Sequence, residues 1–506
     1  MIKFKKVVAV ALAGVFVVGC FVGCGGTKDG GQSKGEKQDV EISAFISGMG
    51  EEWLKDMVAA FNEKYSEYNA YYTPTASFTA ATSFLGQETI DTVDLYMSTN
   101  QMDNEWLLAL DDVLDSTVEG ESKTIREKFN QPFLEEEKSA DGSIYSLTTG
   151  AGILGFIYNE DLFEEAGIKQ IPRTSDELAA TCAALADKGI TPLIHHKGGA
   201  YYMAFDEIWI AQAMGEEAFL DFYINPTKEK MLQKDGRYET LKAMAKIITP
   251  DYVLTGSNTE AHTVQQTKFL AGAAAMTVNG SWLSNEMGGM KGNFTMMKTP
   301  VISAIKDRLS TVKNDRDLRE IISAIDTVTE GAKTEDDYKD GENYKVGNVN
   351  VSAADWAEIR KARKAVVSAD ISSACFIPKY SANTEGAKEF LRFMYSDEGL
   401  KIYAKATHLT LPLTLDSGEY DMSDWSGFEK DQYEFKNTAE WYITCDAKVN
   451  GVNDLFIGGG ARIINMDYPV NMCTNSESQR QSADDIWAAE VKKIESEYDS
   501  WMANIK

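Results

Sequence analysis

Few residues of this sequence have the types and spacings that catalysis requires. The chain has four histidines, His195, His196, His262 and His408. Neighbouring residues point to different sides of a strand or helix, so the first two are poorly placed to share a metal ion. A G-x-S-x-G pattern at residues 31–35 resembles a nucleophile elbow, but it does not follow a strand as that motif requires. Metalloprotease, phosphate-loop and EF-hand patterns are missing from the sequence. We therefore predict a protein that is not an enzyme, with no cofactor and no metal.

Two cysteines near the start suggest a different kind of chemistry. Three lysines precede an uncharged stretch at residues 7–19, and Cys20 and Cys24 each follow a glycine. This order is typical of an export signal. Both cysteines sit in stretches that resemble a bacterial lipobox, in which the signal is cut before a cysteine that is then acylated. We favour lipidation of Cys24 and a lipoprotein signal peptide at residues 1–23. Cys20 is the alternative, as is a signal or anchor with incidental cysteines.

The segment after Cys24 has the composition of a flexible tether. Residues 25–38 are rich in Gly and charged side chains and contain no aromatic or branched apolar residue. Such a segment buries too little surface to offset the entropy lost on ordering. Each lipid methylene buried in a membrane contributes about 0.8 kcal/mol, so several acyl chains would anchor the protein stably. We predict a tether at residues 24–38 and a globular part at the outer face of the cytoplasmic membrane.

Length and charge exclude several classes of protein. The 506 residues exceed what one hydrophobic core usually supports, which predicts two domains or lobes. The formal net charge is -28, and an acidic surface is poorly suited to nucleic acid, whose phosphates are bound by Lys and Arg. Besides the two cysteines at the start, the chain has Cys182, Cys375, Cys445 and Cys473. A disulfide between the last two is one possibility, and burial of all four as small apolar side chains is the other.

Strand and helix patterns alternate along the chain and indicate an α/β fold. Residues 40–46 have the pattern of a strand, residues 153–158 form a continuous apolar run of strand length, and residues 53–61 have apolar side chains at helical spacing. Asn159 and Thr174 stand where they would cap the helices that follow them. This rhythm predicts α/β lobes with mainly parallel sheets.

Three segments in order carry a resemblance to a known family. They are GILGFIYNEDLFEEAGIKQIPRTSDEL at 152–178, FLAGAAAMTVNGSW at 269–282 and GAKEFLRFMYSDEGLKIYAKATHLTL at 386–411. Together they resemble the extracellular solute-binding proteins of ABC sugar importers, family 1, which are maltose-binding-protein-like. The resemblance spans nearly the whole chain after the tether. A departure is the long excursion at residues 301–371.

The resemblance implies an α/β, two-lobe periplasmic-binding-protein-like fold with an interlobe ligand cleft and hinge crossings. Lobe 1 would comprise residues 39–147 plus 298–300 and 372–415. Lobe 2 would comprise residues 148–297 plus 416–506. The excursion at 301–371 would belong to an uncertain lobe.

The resemblance also suggests where a sugar would bind. A pyranose needs a flat aromatic platform for its C–H faces and polar groups for its hydroxyls. The residues that the resemblance and these residue types select are Trp282 as the stacking platform, Tyr201 in preference to Tyr202, Glu51, Asn100, His196 and Trp441. His195, next to His196, is a further possible donor.

The function implied is that of a lipid-anchored receptor. It would capture a sugar or oligosaccharide and deliver it to an ABC permease whose partner ATPase supplies the energy. Three alternatives stay open: an exported carbohydrate-active enzyme, a sensor-coupled binding protein of the same fold, and a receptor for iron or another solute. The first would need a positioned acid and base, which the sequence does not identify among its 78 Asp and Glu residues, and would release product from oligosaccharides.

Overall fold

The computed structural model describes most of the chain after residue 36. The described residues are 37–46, 48–75, 93–98, 104–139, 141–150, 152–195, 200–224, 226–368, 374–444 and 468–504. The predicted signal peptide, the lipidation residues Cys20 and Cys24 and all but the last two residues of the tether lie outside this set. No helix in the described ranges is both long enough and apolar enough to cross a membrane.

The strands are short and numerous. They are β1 (Gln38–Phe45), β2 (Tyr68–Thr75), β3 (Leu95–Ser98), β4 (Leu147–Thr148), β5 (Ile153–Asn159), β6 (Leu193–Ile194), β7 (Met276–Gly280), β8 (Phe294–Met296), β9 (Lys339–Asp340), β10 (Asn343–Val346), β11 (Val349–Val351), β12 (Ala365–Ser368), β13 (Ala374–Phe376) and β14 (Trp441–Thr444).

The helices lie between these strands. They are α1 (Glu52–Lys64), α2 (Asp111–Leu114), α3 (Ile125–Lys128), α4 (Gln131–Glu136), α5 (Glu160–Glu165), α6 (Ser175–Asp187), α7 (Ala200–Met214), α8 (Glu216–Ile224), α9 (Lys228–Met231), α10 (Gly236–Ala245), α11 (His262–Leu270), α12 (Leu283–Glu286), α13 (Asp315–Thr329), α14 (Ala353–Arg363), α15 (Thr384–Met394), α16 (Asp397–Thr407), α17 (Gly427–Thr438), α18 (Tyr468–Cys473) and α19 (Ala483–Asn504).

Local sequence signals account for the element boundaries near the site. The predicted cap is present at Asn159, whose Oδ1 accepts the N–H of Leu162 at 3.2 Å. Thr174 caps α6 in the same way, accepting the N–H of Glu177. Both predicted caps are confirmed. The strand β5 is buried over Ile153–Tyr158, as its unbroken apolar run predicts.

Two separate sheets form the two lobes of this α/β fold. The first sheet has the strand order β2-β1-β3-β13-β4, and the second has the order β14-β12-β5-β7-β6, with β8 paired to β5. The prediction of mainly parallel sheets is wrong. In the first sheet β13 runs antiparallel to β3 and β4, and in the second sheet β5 runs antiparallel to β7, β8 and β12. The chain comes to β5 from the first sheet and to β13 from the second sheet. Each of these strands therefore runs antiparallel to its neighbours in the sheet that it enters.

The excursion at residues 301–371 packs with the second sheet. The helix α13 is strongly amphipathic, and its apolar face buries Leu318, Ile321 and Ile325. These side chains and Trp356 of α14 belong to the hydrophobic core that also contains Phe156 of β5. The excursion ends in β12, which pairs directly with β5 and β14.

Residues 298–300 differ from the expected lobe boundary. We expected them to return to the first lobe, but the carbonyl of Pro300 accepts the indole N–H of Trp209, a fully buried residue of α7, at 2.8 Å. The next residue, Val301, pairs with Thr174. The chain therefore stays beside the second sheet until β12 and enters the first sheet again only at β13. The reason is that the amphipathic excursion needs the second core to cover its apolar face.

Candidate functional site

Trp282 lies where the two lobes meet. It follows the end of β7, stands at the position before α12, and is partly buried. A Cβ atom placed on Gly48, in the loop after β1 of the first sheet, would lie 3.1 Å from Cδ1 of Trp282. A Cβ atom on Gly152, in the segment that leads from β4 to β5, would lie 2.9 Å from Cζ3 of the same indole. The indole therefore contacts backbone from the first lobe and from a crossing segment.

Tyr201 joins Trp282 in an aromatic pair. The ring centroids are 6.0 Å apart, with an angle of 58° between the planes. Burial and then the charge of Glu286 raise the pKa of Tyr201 to about 12, against a hydrogen bond with Trp282 that lowers it. The phenol is therefore neutral at physiological pH and offers its hydroxyl for hydrogen bonding. Two aromatic rings with polar edges are what a site for a sugar would require.

A carboxylate that the sequence patterns did not indicate, Glu286, lies beside this pair. Glu286 is four residues after Trp282, and its Oε2 accepts the amide N–H of Gln266 at 2.7 Å. Its other oxygen, Oε1, lies 3.3 Å from Nε2 of His262. The spacing of Trp282 and Glu286 at i and i+4 was a usable signal, because such residues face the same side of a helix. The position of His262 had no comparable signal, because it depends on α11 packing nearby.

Glu51 lies in the loop that leads from Gly48 into α1. The side chain is exposed, and its Oε1 accepts the hydroxyl proton of Tyr72 at 2.7 Å. This hydrogen bond, followed by burial, raises the pKa of Tyr72 to about 12. Glu51 stands just before α1 but does not cap it with its side chain. The exposed carboxylate of Glu51 can therefore accept further hydrogen bonds at the surface of the first lobe.

Trp441 is not available as a platform in this structure. It is 5% exposed and lies on β14, in the core of the second sheet. Its ring meets Phe219 edge-on at 6.4 Å, and the ammonium of Lys361 lies 5.3 Å from the ring centroid. Because Phe219 and Lys361 pack against the indole, the ring cannot stack on a ligand, and Trp441 is not part of the candidate site. Its burial follows from packing with distant segments, which the local sequence does not reveal.

Other predicted positions are only partly visible. Asn100 and His196 lie outside the described residues, as does the side chain of Tyr202 on α7. His195 is 2% exposed, and its Nε2 lies 3.6 Å from Sγ of Cys473. Cys473 is a buried free thiol, and Cys445, the partner considered for it, lies outside the described residues. Within the described residues, no group of three His, Cys, Asp or Glu side chains could hold a metal ion.

A groove away from the aromatic pair lies on the second lobe and is lined by charged residues. Its volume is about 700 Å³, and its walls come from β8, α13 and α17. Lys298 pairs with Glu330 at 3.0 Å, and Arg363 pairs with Asp326 at 2.9 Å. Because these charges neutralise one another within the protein, the groove is a weaker candidate than the aromatic pair.

Comparison with known proteins identifies the family. The profile described as bacterial extracellular solute-binding protein matches residues 47–401 of this chain. A curated relative, a putative binding protein of Brucella abortus (strain 2308), is 26% identical over 215 residues, which are 39% of this chain and 48% of the relative. A putative binding protein of Brucella suis biovar 1 (strain 1330) matches to the same extent. The chain thus spans about half the length of the curated relatives that it matches.

Solved structures agree with the fold. RafE, a solute-binding protein solved in complex with raffinose, has a TM-score of 0.58 and 14% identity, over 90% of this chain and 99% of RafE. The GacH receptor of Streptomyces glaucescens, solved unliganded and with acarbose, has a TM-score of 0.57 and 13% identity, over 93% and 100% of the two chains. A manno-oligosaccharide-specific solute-binding protein of Bifidobacterium animalis, solved with mannotriose, has a TM-score of 0.55 and 16% identity, over 92% and 95%.

These structural likenesses establish the fold, and the family profile covers more than two thirds of the sequence. The two-lobe α/β fold inferred from the sequence is therefore confirmed. This chain belongs to the family of bacterial extracellular solute-binding proteins.

Proposed function

We propose that this protein captures a sugar or oligosaccharide between its two lobes and delivers it to an ABC permease. The observation that carries the proposal is the contact of Trp282 with Tyr201 at the junction of the lobes. Glu286 beside the pair, and His262 next to Glu286, would bind hydroxyl groups, while the rings stack on the C–H faces of a pyranose.

The cycle that we propose involves binding without a chemical step. The family is one of binding proteins and not of enzymes, so the protein itself is a binding protein. Ligand held by both lobes would favour the closed arrangement, because the contacts with both lobes exist only there. Release would follow when the permease and its ATPase separate the lobes.

The ligands of the structural neighbours support a sugar. RafE is described with raffinose, the GacH receptor with acarbose and the Bifidobacterium protein with mannotriose. A further neighbour is described as preferring a galactopyranose. Because the identities are 13–16%, this support concerns the class of ligand and not the particular sugar.

The remaining parts of the proposal concern location and architecture. We propose lipidation at Cys24, with Cys20 as the alternative, a tether that ends near residue 38, and a location outside the cytoplasmic membrane. We also propose that lobe 1 comprises residues 39–147 and 372–415, and that lobe 2 comprises residues 148–297 and 416–506 together with residues 298–371. The sheet to which each strand belongs supports these boundaries.

A thermal-shift screen tests the proposed ligand class. Binding of a ligand at 100 times its Kd should stabilise the folded protein by about 2.7 kcal/mol. We expect raffinose, mannotriose or another member of an oligosaccharide panel to raise Tm. A panel in which no sugar raises Tm, while a peptide or an iron chelate does, would contradict the proposal.

A further inference from the structure

Three glycines surround the Trp282 indole, and we call them the glycine cradle: Gly48, Gly152 and Gly280. None of them has a positive φ angle, so the backbone conformation does not require glycine at these positions. What excludes a larger residue is the space that the indole occupies.

Gly280 is the most restrictive member of the cradle. A Cβ atom at this position would lie 2.2–2.4 Å from Cη2, Cζ3 and Cζ2 of Trp282, well inside van der Waals contact. At Gly152 the corresponding distances to Cζ3 and Cε3 are 2.9 and 3.0 Å. The six-membered ring of the indole therefore lies directly against the backbone at both positions.

The backbone of this part of the cradle is held firmly. The amide oxygen of Asn279, which is fully buried, accepts the N–H of Gly280 at 2.7 Å. Ser281 then pairs with Ile153 in both directions, through its N–H at 3.0 Å and its hydroxyl at 3.2 Å. Because these bonds hold the backbone in place, a side chain added at Gly152 or Gly280 would move the indole and not the strand.

Gly48 approaches the indole from the other lobe. A Cβ atom there would lie 3.1–3.2 Å from Cδ1, Cβ and Cγ of Trp282, so a methyl group would require a shift of a few tenths of an ångström. Since Gly48 belongs to the loop after β1, such a shift would separate the first lobe from the aromatic pair.

We propose that Gly152 and Gly280 are positioning residues that seat the Trp282 indole, and that Gly48 sets how closely the first lobe approaches it. This inference rests on the proposed function for its effect on a ligand, but the seating of the ring is a property of the protein alone. A methyl group at Gly280 would tilt the platform, whereas one at Gly48 would hold the lobes slightly apart.

The test combines ring position with affinity. The protein is labelled with 5-fluorotryptophan, and the Trp282 signal in the ¹⁹F NMR spectrum is assigned by its loss in Trp282→Phe. The variants are Gly48→Ala, Gly152→Ala and Gly280→Ala, titrated with raffinose and mannotriose. Gly427→Ala is the matched control, because a Cβ atom there would have no neighbour within 4 Å. Gly155→Ala on β5 is a second control, with ordinary contacts of 3.5 Å and more to Met296.

We expect Gly280→Ala to shift the Trp282 signal without ligand and to weaken sugar binding by about tenfold or more. Gly152→Ala should act in the same direction with a smaller effect, and it decides the question if Gly280→Ala does not fold. Gly48→Ala should weaken binding about threefold with a smaller change in the signal. Both controls should match the wild type.

The outcomes separate this inference from the proposed function. If the Trp282 signal shifts in Gly280→Ala but no sugar binds to the wild type, the seating role stands and the proposed function fails. If sugar binds equally well to the wild type, Gly152→Ala and Gly280→Ala, with an unchanged Trp282 signal, the seating role is overturned and the proposed function stands. Equal affinity and an equal Trp282 signal in Gly48→Ala and the wild type would overturn the role of Gly48.

Discussion

The side-chain amide of Asn285 donates a hydrogen bond to the carbonyl oxygen of Thr407 at 2.9 Å. Asn285 lies on α12, three residues after Trp282, and Thr407 ends α16, which packs on α1 beside the first sheet. The bond therefore joins the two lobes next to the candidate site. Since its partners belong to different lobes, it stabilises the arrangement in which the lobes are together.

Asn285→Ala should make closure less favourable. A hydrogen bond of this kind contributes about 1 kcal/mol, so we expect the Kd for sugar to rise about fivefold. The ligand-free protein should also show a larger radius of gyration in small-angle X-ray scattering. Asn293→Ala is the control, because the Asn293 amide donates to Asp161 within the second lobe. An unchanged Kd and radius in Asn285→Ala would show that this bond has no part in closure.

A buried cluster of charged residues should contribute strongly to the stability of the first lobe. Lys128 is 1% exposed, and its ammonium lies 2.6 Å from Glu121 and 2.9 Å from Asp397. Lys128→Met would leave two buried carboxylates without their cation, which should lower the free energy of unfolding by about 3–5 kcal/mol. Urea denaturation at pH 7 measures this loss. Lys55→Met, at an exposed helix pair with Glu52, should change it by less than about 0.5 kcal/mol.

The cost of Lys128→Met should depend on pH. Burial would raise the pKa of Asp397, but hydrogen bonds from the Asp416 backbone and from Lys128 outweigh it and hold this pKa below its usual value. A lowered pKa contributes stability that is present above the unfolded pKa of about 3.9 and is lost as pH falls through the folded value. The difference between the wild type and the variant should therefore shrink below pH 4. A constant difference from pH 7 to pH 3 would contradict the assigned role.

The pKa of Asp431 is shifted in the opposite direction to that of Asp397, so the pH dependence of its effect on stability should also be opposite. Burial, followed by the charges of Glu434 and Glu160, raises its pKa to about 7, although Lys298 opposes the shift. Because the pKa of Asp431 is raised in the folded state, the protonated carboxyl contributes its full stability below the unfolded pKa of about 3.9. This stability is lost as pH rises through the folded pKa of about 7.

Asp431→Asn removes this titration, so the variant should be more stable than the wild type at pH 8 by about 2 kcal/mol, roughly half of the full linkage value because the carboxyl is partly in water. The two proteins should converge near pH 4 in a series of melting curves. Asp251→Asn, at an exposed carboxylate, serves as the control. A variant that is less stable than the wild type at pH 8 would show that the ionised Asp431 is held by favourable contacts.

The sequence was most informative where a pattern is local. The cap at Asn159 and the apolar run of β5 depend on neighbouring residues, and both are present as predicted. The direction of β5 was not predictable in this way, because it is set by the point at which the chain crosses between the sheets. The fold class required the ordered family segments as well as the local patterns.

In the candidate site, too, the sequence predicted features that depend on nearby residues and missed those that depend on distant packing. Tyr201 and Trp282 were singled out by their family-like surroundings, and they lie together in the structure. Trp441 had no feature that distinguished it from a platform, because its burial comes from Phe219 and Lys361, which are far away in sequence. The position of His262 beside Glu286 likewise depends on helix packing.

The central claim is that the Trp282 indole holds a sugar between the lobes. Isothermal titration of the wild type and of Trp282→Ala with the oligosaccharide that gives the largest thermal shift tests this claim most directly. Trp441→Phe accompanies them as a control for the loss of a buried indole. We predict that Trp282→Ala raises the Kd at least tenfold, a loss of about 1.4 kcal/mol or more, while the protein still unfolds cooperatively and Trp441→Phe retains the wild-type Kd. Equal affinities of the wild type and a folded Trp282→Ala variant would contradict the claim.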